Sequence, residues 1–304
     1  MTHRSIGTSG MTFDDVIAVA RDNAKVVISD DALAAMSATR AHVEALAVSP
    51  EPVYGVSTGF GALAQRHIPT ESRTQLQKSL IRSHAAGTGP VVEREVTRAL
   101  MLLRLKTLCS ARTGIRPVVA QTMAAVLNAG ITPIVHEYGS LGCSGDLAPL
   151  AHCALVLMGE GRAVDADGNE RPVPELLKAA GIEPIELREK EGLALINGTD
   201  GMLGMLILAI HDLTKLCDAA DVVAAMSVEA LLGSERVFRP ELHAALRPHP
   251  GQATSAANML RTLEGSGIVA SHQVNCTRVQ DAYSLRCGAA MALRVPSVAR
   301  RQGG

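Results

Sequence analysis

Apolar positions recur at helical spacing through most of the chain. From Asp30 to Val48, the residues Leu33, Met36, Val43 and Leu46 share one face, with Ser29 or Asp30 available as N-cap, which predicts an amphipathic helix. The run Ser49-Pro-Glu-Pro52 breaks it, and Tyr54-Gly-Val-Ser-Thr-Gly-Phe-Gly61 is too rich in glycine for a regular element. Helical patterns resume over 70–85 and 92–112, and again from Pro117, well suited to a first helical position, to a stop at Gly130. Residues 131–135 read as a short extended piece and 139–145 as a loop. Pro149 is tolerated only in a first helical turn, so a helix must begin close to Asp146 and run to Gly159 or Gly161. The polar insert 165–170, with Gly168, reads as a surface turn. Residues 199–233 contain no proline and are apolar around more than one face, as expected of a helix buried in a bundle.

These elements predict a mainly helical, all-α fold. Composition agrees: Ala, Leu and Val dominate the 304 residues, with three Tyr, three Phe and no Trp, which suits close helix packing and argues against a β-sandwich. Basic and acidic residues number 29 and 30 and are interspersed, so no face for nucleic acid or an anionic membrane stands out. The six cysteines show no Cys-x-x-Cys pairing and read as thiols of a cytoplasmic protein. The N-terminus lacks the apolar run of a secretory signal, and the apolar stretch 202–210 meets His211 and Asp212 too early to span a bilayer.

Five segments carry candidate chemistry. The most informative is Gly139-Ser-Leu-Gly-Cys-Ser-Gly-Asp-Leu-Ala-Pro-Leu-Ala-His152, a glycine-rich turn feeding a helix N-terminus, where Asp146 is placed to cap the helix or brace the turn. The others are the Tyr54–Gly61 loop, Leu80-Ile-Arg-Ser-His-Ala-Ala-Gly87, and the pair Ala194-Leu-Ile-Asn-Gly-Thr199 and Arg278-Val-Gln-Asp-Ala-Tyr-Ser-Leu-Arg-Cys287. Gln280, Tyr283 and Arg286 lie three apart and would share one face of a helix. Taken singly, each has a plain reading: a turn, a surface ring, a structural histidine, a solvated polar face.

Together, in this order and spacing, they resemble the aromatic amino acid ammonia-lyase family, which includes histidine, phenylalanine and tyrosine ammonia-lyases and related aminomutases. The resemblance implies a fumarase/aspartase-like long-helix bundle. It also implies a 4-methylidene-imidazole-5-one (MIO) group formed from Cys143, Ser144 and Gly145. In that chemistry the Gly145 nitrogen closes on the Cys143 carbonyl carbon, which needs a bend free of a β-carbon, and Ser144 supplies the leaving hydroxyl. Alanine is usual where this chain has Cys143, whose side chain would lie outside the ring.

By the same resemblance, Tyr54 is the base that removes a β-proton, a role that needs an environment favouring phenolate because a free phenol has a pKa of about 10. Asn197 and Gln280 contact the MIO or substrate, Tyr283 joins them, and Arg286 holds the substrate carboxylate. His84 faces the substrate ring. The Ser83-His84 pair resembles the histidine-specific members, whereas phenylalanine enzymes show Phe-Leu and tyrosine enzymes His-Leu. The implied reaction is removal of ammonia from L-histidine to give trans-urocanate, in a homotetramer with no metal and no external organic cofactor. A phenylalanine or tyrosine enzyme is the rival reading, and Ser83-His84 argues against it. A fumarase-like lyase would need a flexible Gly-Ser-Ser loop that the chain lacks.

The resemblance divides the chain into an N-terminal helical subdomain, 1–198, the start of the central bundle, 199–287, and a divergent tail, 288–304. Family members are considerably longer, and the ending Ala299-Arg-Arg-Gln-Gly-Gly304 has the look of a frameshifted or prematurely closed reading frame. A catalytically silent helical fragment therefore stays open as an alternative.

Overall fold

The structure is a computed structural model that describes residues 3–141, 145–245, 247–274, 276 and 278–291. The described residues are mainly helical, at 57% helix, as the apolar periodicity predicts. It divides into two compact units, 1–208 and 209–304, and the boundary falls inside one long helix.

The first unit opens with an element the sequence reading did not anticipate. Strands β1 (His3–Ile6) and β2 (Lys25–Ile28) pair in parallel, joined by helix α1 (Phe13–Ala20). A capping box starts α1: the Thr12 hydroxyl accepts from the Asp15 N–H at 3.2 Å while the Asp15 carboxylate accepts from the Thr12 N–H at 3.1 Å. Helix α2 (Asp30–Ala47) and the glycine-rich loop follow, then α3 (Thr70–His84), β3 (Thr88–Val91), α4 (Arg94–Cys109) and α5 (Pro117–Asn128), close to the expected bounds. The core gathers around α4, whose Leu100, Met101, Leu102, Leu105 and Leu108 are all buried.

Two short sheets then arrange the chemistry-bearing segments. The expected extended piece is only a two-residue strand, β4 (Thr132–Pro133), and β5 (His136–Tyr138) comes directly after it. β5 pairs antiparallel with β3, Thr88 opposite Tyr138, and this joins the end of the Leu80–Gly87 segment to the start of the Gly139–His152 segment. Helix α6 (Leu147–Leu157) begins where Pro149 requires. The hairpin β6 (Arg162–Val164) and β7 (Glu170–Pro172) carries the predicted surface turn, in which the Asp165 carboxylate accepts from the N–H groups of Asp167 and Asn169 at 3.0 and 2.8 Å.

After α7 (Val173–Ala180), the short helix α8 (Glu191–Ile196) is fixed at its first turn. The fully buried Glu191 carboxylate takes two bonds from the Arg116 guanidinium, at 2.8 Å each, and the Gly192 N–H donates to Gln77 Oε1 of α3 at 2.8 Å. Helix α9 (Asp200–Ala230) begins four residues after α8 ends and carries the chain into the second unit.

The second unit comprises the rest of α9 with α10 (Pro250–Leu263), α11 (Gly267–Ser271), α12 (Tyr283–Arg286) and α13 (Gly288–Met291). Its core is small, built on Ala225, Val228, Phe238, Ala256, Met259, Leu263, Val269 and Ala289. The Asp221 carboxylate of α9 accepts from the Ser255 hydroxyl and from Asn258 Nδ2 of α10. The apolar pattern over more than one face predicts a helix buried in a bundle; here Leu213, Leu216, Val223 and Met226 of this unit are exposed, Leu216 to 64%. By length and composition alone, 191–230 would also serve as a membrane span, although Ile207, Leu208, Ala225 and Val228 of the same stretch are built into protein cores.

Candidate active site

The described end of the glycine turn at the start of α6 packs against the segment between α8 and α9. Cys143 and Ser144 lie outside the described residues; Gly145 is described and buried, with φ at +130°, a region that L side chains rarely enter. A Cβ at Gly145 would fall on the backbone of Gly198, and one at Gly198 would fall on the guanidinium of Arg104. Three layers therefore stack without room for a methyl group: Arg104 behind Gly198, Gly198 behind Gly145.

Asp146 joins this turn to α9 rather than capping its own helix. Its backbone N–H donates to the Gly198 carbonyl at 2.6 Å, and its buried carboxylate accepts from the first-turn amides of α9, Gly201 at 2.7 Å and Met202 at 3.0 Å. The second carboxylate oxygen accepts from the Ser140 hydroxyl at 2.8 Å. The carboxylate thus satisfies two of the N–H groups that a helix start leaves without partners, and places negative charge at the positive end of the α9 dipole.

Arg104, Gly198 and Asp200 were not picked out from sequence. Arg104 interrupts an apolar run, Met101-Leu-Leu-Arg-Leu105, and a lone arginine in such a run signals a buried ion pair. It is buried, its Nη1 donates to the Ala194 carbonyl at 3.0 Å, and its Nη2 pairs with the Asp200 carboxylate, which also accepts from the Thr107 hydroxyl at 3.3 Å. Nearby Cys153 is buried and its thiol is pushed up by desolvation, so it stays protonated and inert.

The other first-unit candidates sit on elements that end or pack on α8. Asn197 ends α8, immediately before Gly198, with an exposed side chain. The Tyr54 loop leans on the same helix, since a Cβ at Gly55 would meet Leu193 Cδ2 at 2.9 Å. Ser57 and Thr58 are buried and anchor the loop, while the Tyr54 ring is half exposed, edge-on to Phe60, and its hydroxyl oxygen accepts from the Gly61 N–H at 3.3 Å.

His84 closes α3. Its Nδ1 lies 2.9 Å from the Leu80 carbonyl and 3.0 Å from the Ser83 hydroxyl oxygen. A carbonyl only accepts, so Nδ1 carries the proton and Nε2 is left as an acceptor. Three residues on, the Gly87 N–H donates to His152 Nε2 of α6 at 3.1 Å, and His136 stands edge-on to His152 with ring centroids 5.6 Å apart. Burial, and then His136, hold the His152 imidazole below its ordinary pKa, consistent with a neutral ring accepting that bond.

Gln280, Tyr283 and Arg286 belong to the second unit. The spacing of three does not put all of them on one helix, because α12 begins only at Tyr283; Gln280 lies in a bend before it. The Arg286 guanidinium sits 6.0 Å from the centroid of the exposed Tyr283 ring. Gln280 and Arg286 line a cavity of about 420 Å³ with Arg236, His272, Arg278 and Asp281.

Comparison with known proteins places this geometry. The profile of the family described as aromatic amino acid lyase matches residues 11–292. The chain is 67% identical to histidine ammonia-lyase of Streptomyces coelicolor over 287 residues, which are 94% of this chain and 56% of that protein. Among solved structures it superimposes on tyrosine aminomutase from Streptomyces globisporus with a TM-score of 0.87 at 37% identity, covering 94% of this chain and 57% of that one. It also superimposes on histidine ammonia-lyase from Trypanosoma cruzi with a TM-score of 0.82 at 35% identity, covering 95% and 53%. The chain thus spans about half the length of the relatives it matches.

Proposed function

Because the chain belongs to the aromatic amino acid lyase family, we propose that it is the MIO-bearing part of a histidine ammonia-lyase, acting on L-histidine to release ammonia and trans-urocanate. The observation that carries the chemistry is Gly145, held at a positive φ against the Gly198 carbonyl where no side chain fits. That is the backbone a ring-closing glycine needs, so the residues present fit the group. Once formed from Cys143, Ser144 and Gly145, MIO supplies a carbon electrophile that no unmodified side chain offers.

The chain's own residues then have defined tasks. His84, with Nε2 as acceptor, takes a hydrogen bond from the ring N–H of the substrate imidazole, which a phenyl ring cannot provide. Tyr54 removes the β-proton from its anchored but exposed loop; the electron pair of that C–H bond becomes the C=C bond, and ammonia leaves with the electrons of the C–N bond. Asn197, Gln280 and Tyr283 line the substrate, and Arg286 pairs with its carboxylate. The 67% identity to a histidine ammonia-lyase, against 37% to a tyrosine aminomutase, supports histidine over the rival substrates.

The test combines an intact mass with a substrate panel. A deficit of two waters and urocanate absorbance with histidine, but no product from phenylalanine or tyrosine, is the expected result. An unaltered mass in folded protein would sink the electrophile assignment, and a preference for phenylalanine or tyrosine would sink the substrate.

One observation favours a second reading, in which the isolated chain cyclises but does not turn over. Tyr283 and the outer side of α9 are exposed. In the family the site combines residues from more than one subunit of a tetramer, so a chain that leaves these groups uncovered holds an incomplete site. Fusing the remaining C-terminal part of the Streptomyces coelicolor relative after residue 287 should then raise urocanate formation sharply. Equal activity with and without the fusion, at equal protein concentration, would remove this reading.

A further inference from the structure

The proposed electrophile depends on where the Gly145 turn is pressed, and the structure shows what presses it. Gly198 lies between Gly145 and the buried Arg104 guanidinium, with no space for a Cβ on either glycine. Arg104 spans the turn that contains Gly198: Nη1 holds the Ala194 carbonyl in the last turn of α8, and Nη2 holds the Asp200 carboxylate at the first residue of α9. Thr107, one turn further along α4, adds a second donor to Asp200. The segment 195–199 is thereby gripped at both ends by one helix, α4, and its Gly198 carbonyl faces outward to accept the Asp146 N–H at 2.6 Å.

We propose that Arg104 and Asp200 are positioning residues for the MIO-forming turn: together they hold the Asn197–Gly198 segment as the backstop against which Gly145 closes on Cys143. The inference rests on the MIO reading and extends it to groups that never touch the substrate. The ring closure they serve loses one water from the Cys143 carbonyl oxygen with the single hydrogen of the attacking Gly145 nitrogen and the backbone N–H hydrogen of Ser144, leaving a C=N bond in the ring, and a second water from the Ser144 hydroxyl with its α-hydrogen, leaving the methylidene. No external reagent is required. Arg104 brings no proton and no charge to the reacting atoms; it fixes distance and orientation.

A second buried arginine on the same helix supplies the control. Arg98 is as buried as Arg104, and its guanidinium bonds to the Val19 carbonyl at 2.9 and 3.1 Å and to the Leu127 carbonyl at 3.1 Å, away from the turn. A purely structural role for Arg104 would make the two arginines equivalent in their effect on the turn.

The experiment uses the whole chain, with Arg104→Met, Asp200→Asn, Asp200→Ala, Thr107→Val and Arg98→Met. Each is measured for the cyclised fraction by intact mass, for amide exchange at Asp146, Gly201 and Met202, and for thermal midpoint. Arg104→Met and Asp200→Ala are expected to lose at least tenfold in cyclised fraction and in protection at Asp146. Asp200→Asn, which keeps an oxygen for Arg104, and Thr107→Val, which removes one hydrogen bond, fall between these and the parent. Arg98→Met lowers the midpoint as much as Arg104→Met but keeps the parental cyclised fraction. If Arg104→Met does not fold, the graded series Asp200→Ala, Asp200→Asn and Thr107→Val carries the same comparison against Arg98→Met.

Folded Arg104→Met or Asp200→Ala with the full two-water deficit and parental protection overturns the proposal. So does an Arg98→Met chain that loses the deficit equally. A parent chain without the deficit refutes the MIO reading instead; in that case, exchange at Asp146 still decides whether Arg104 and Asp200 hold the turn.

Discussion

The two units of this chain solve the burial problem to different degrees. In the first, buried apolar side chains from α1 through the start of α9 form one continuous core, and even the buried arginines Arg40, Arg73, Arg98 and Arg104 have carbonyl or carboxylate partners. In the second, eight of the described residues make the core while α9 leaves Leu213, Leu216, Val223 and Met226 exposed. Each such side chain forgoes about 1.5 to 3 kcal/mol of burial, and folded domains hold only about 5 to 15 kcal/mol of net stability. The lesson is one of division of labour. The unit that carries the glycine turn is closed upon itself, whereas the unit that carries Gln280, Tyr283 and Arg286 leaves an apolar side of α9 exposed.

That contrast makes its strongest claim about chemistry. On the proposed reading, Ser144→Ala should remove the two-water deficit and cut histidine turnover by roughly three decades or more without shifting the thermal midpoint, since the proposed electrophile would belong to the self-contained unit. Cys143→Ala, by contrast, should leave both unchanged. Turnover within a few-fold of the parent in Ser144→Ala would break the assignment.

Stability should differ between the units nearly as much. Leu102→Ala, in the closed core, is expected to cost about 2 to 5 kcal/mol by urea denaturation, and Leu216→Lys, on the open side of α9, less than about 0.5 kcal/mol. Leu216→Lys should also reduce self-association in size-exclusion chromatography. Similar costs for the two would show that α9 is covered in solution.

At the specificity position the expected effect is smaller. His84→Leu removes one hydrogen bond to the substrate ring and should slow histidine turnover by one to two decades, about 1 to 3 kcal/mol, while folding is unaffected. A change of less than threefold would mean that Nε2 does not reach the ring.

The smallest effect expected is a pH dependence inside the closed unit. His152 has its pKa lowered by burial and by His136, so the folded state favours the neutral ring that accepts the Gly87 N–H. Its stabilisation is present in full above the unfolded value, 6.5, and declines as the pH falls through the lower folded value. Urea midpoints measured from pH 7.5 downward should fall more for the parent than for His152→Gln, whose amide oxygen still accepts from Gly87. Parallel curves would show that His152 does not titrate in the transition.

Much of the first unit was legible because its helices obey local rules. Pro117 and Pro149 mark first turns, the 30–48 periodicity matches α2, and the mainly helical fold class follows from such elements. The parallel β1–β2 pair was not legible, because two four-residue strands separated by α1 carry too little pattern to announce a pairing. Of the two roles expected for Asp146, bracing the turn agrees with its bond from Ser140, while capping α6 does not. A residue just before a helix is expected to cap that helix, yet its carboxylate serves α9, which begins 54 residues later in the sequence. The grip of Arg104 on Asp200 crosses 96 positions and has no periodic signature beyond a cation in an apolar run. The three-residue spacing of Gln280, Tyr283 and Arg286 misled in the opposite direction, since a regular interval is not sufficient to start a helix before Tyr283.

The tie from Asp146 to Gly198, Gly201 and Met202 also sets a schedule. A chain emerging from the ribosome exposes its N-terminal part first, so Cys143, Ser144 and Gly145 are free in the growing polypeptide well before the segment that confines them has been made. Until residue 202 is available, the turn has neither its backstop nor the amides that hold the Asp146 carboxylate. On the proposed MIO reading, ring closure would therefore wait on translation: the contacts that confine the turn come from α8 and the first turn of α9, so synthesis of those residues would act as the safety catch on the chemistry.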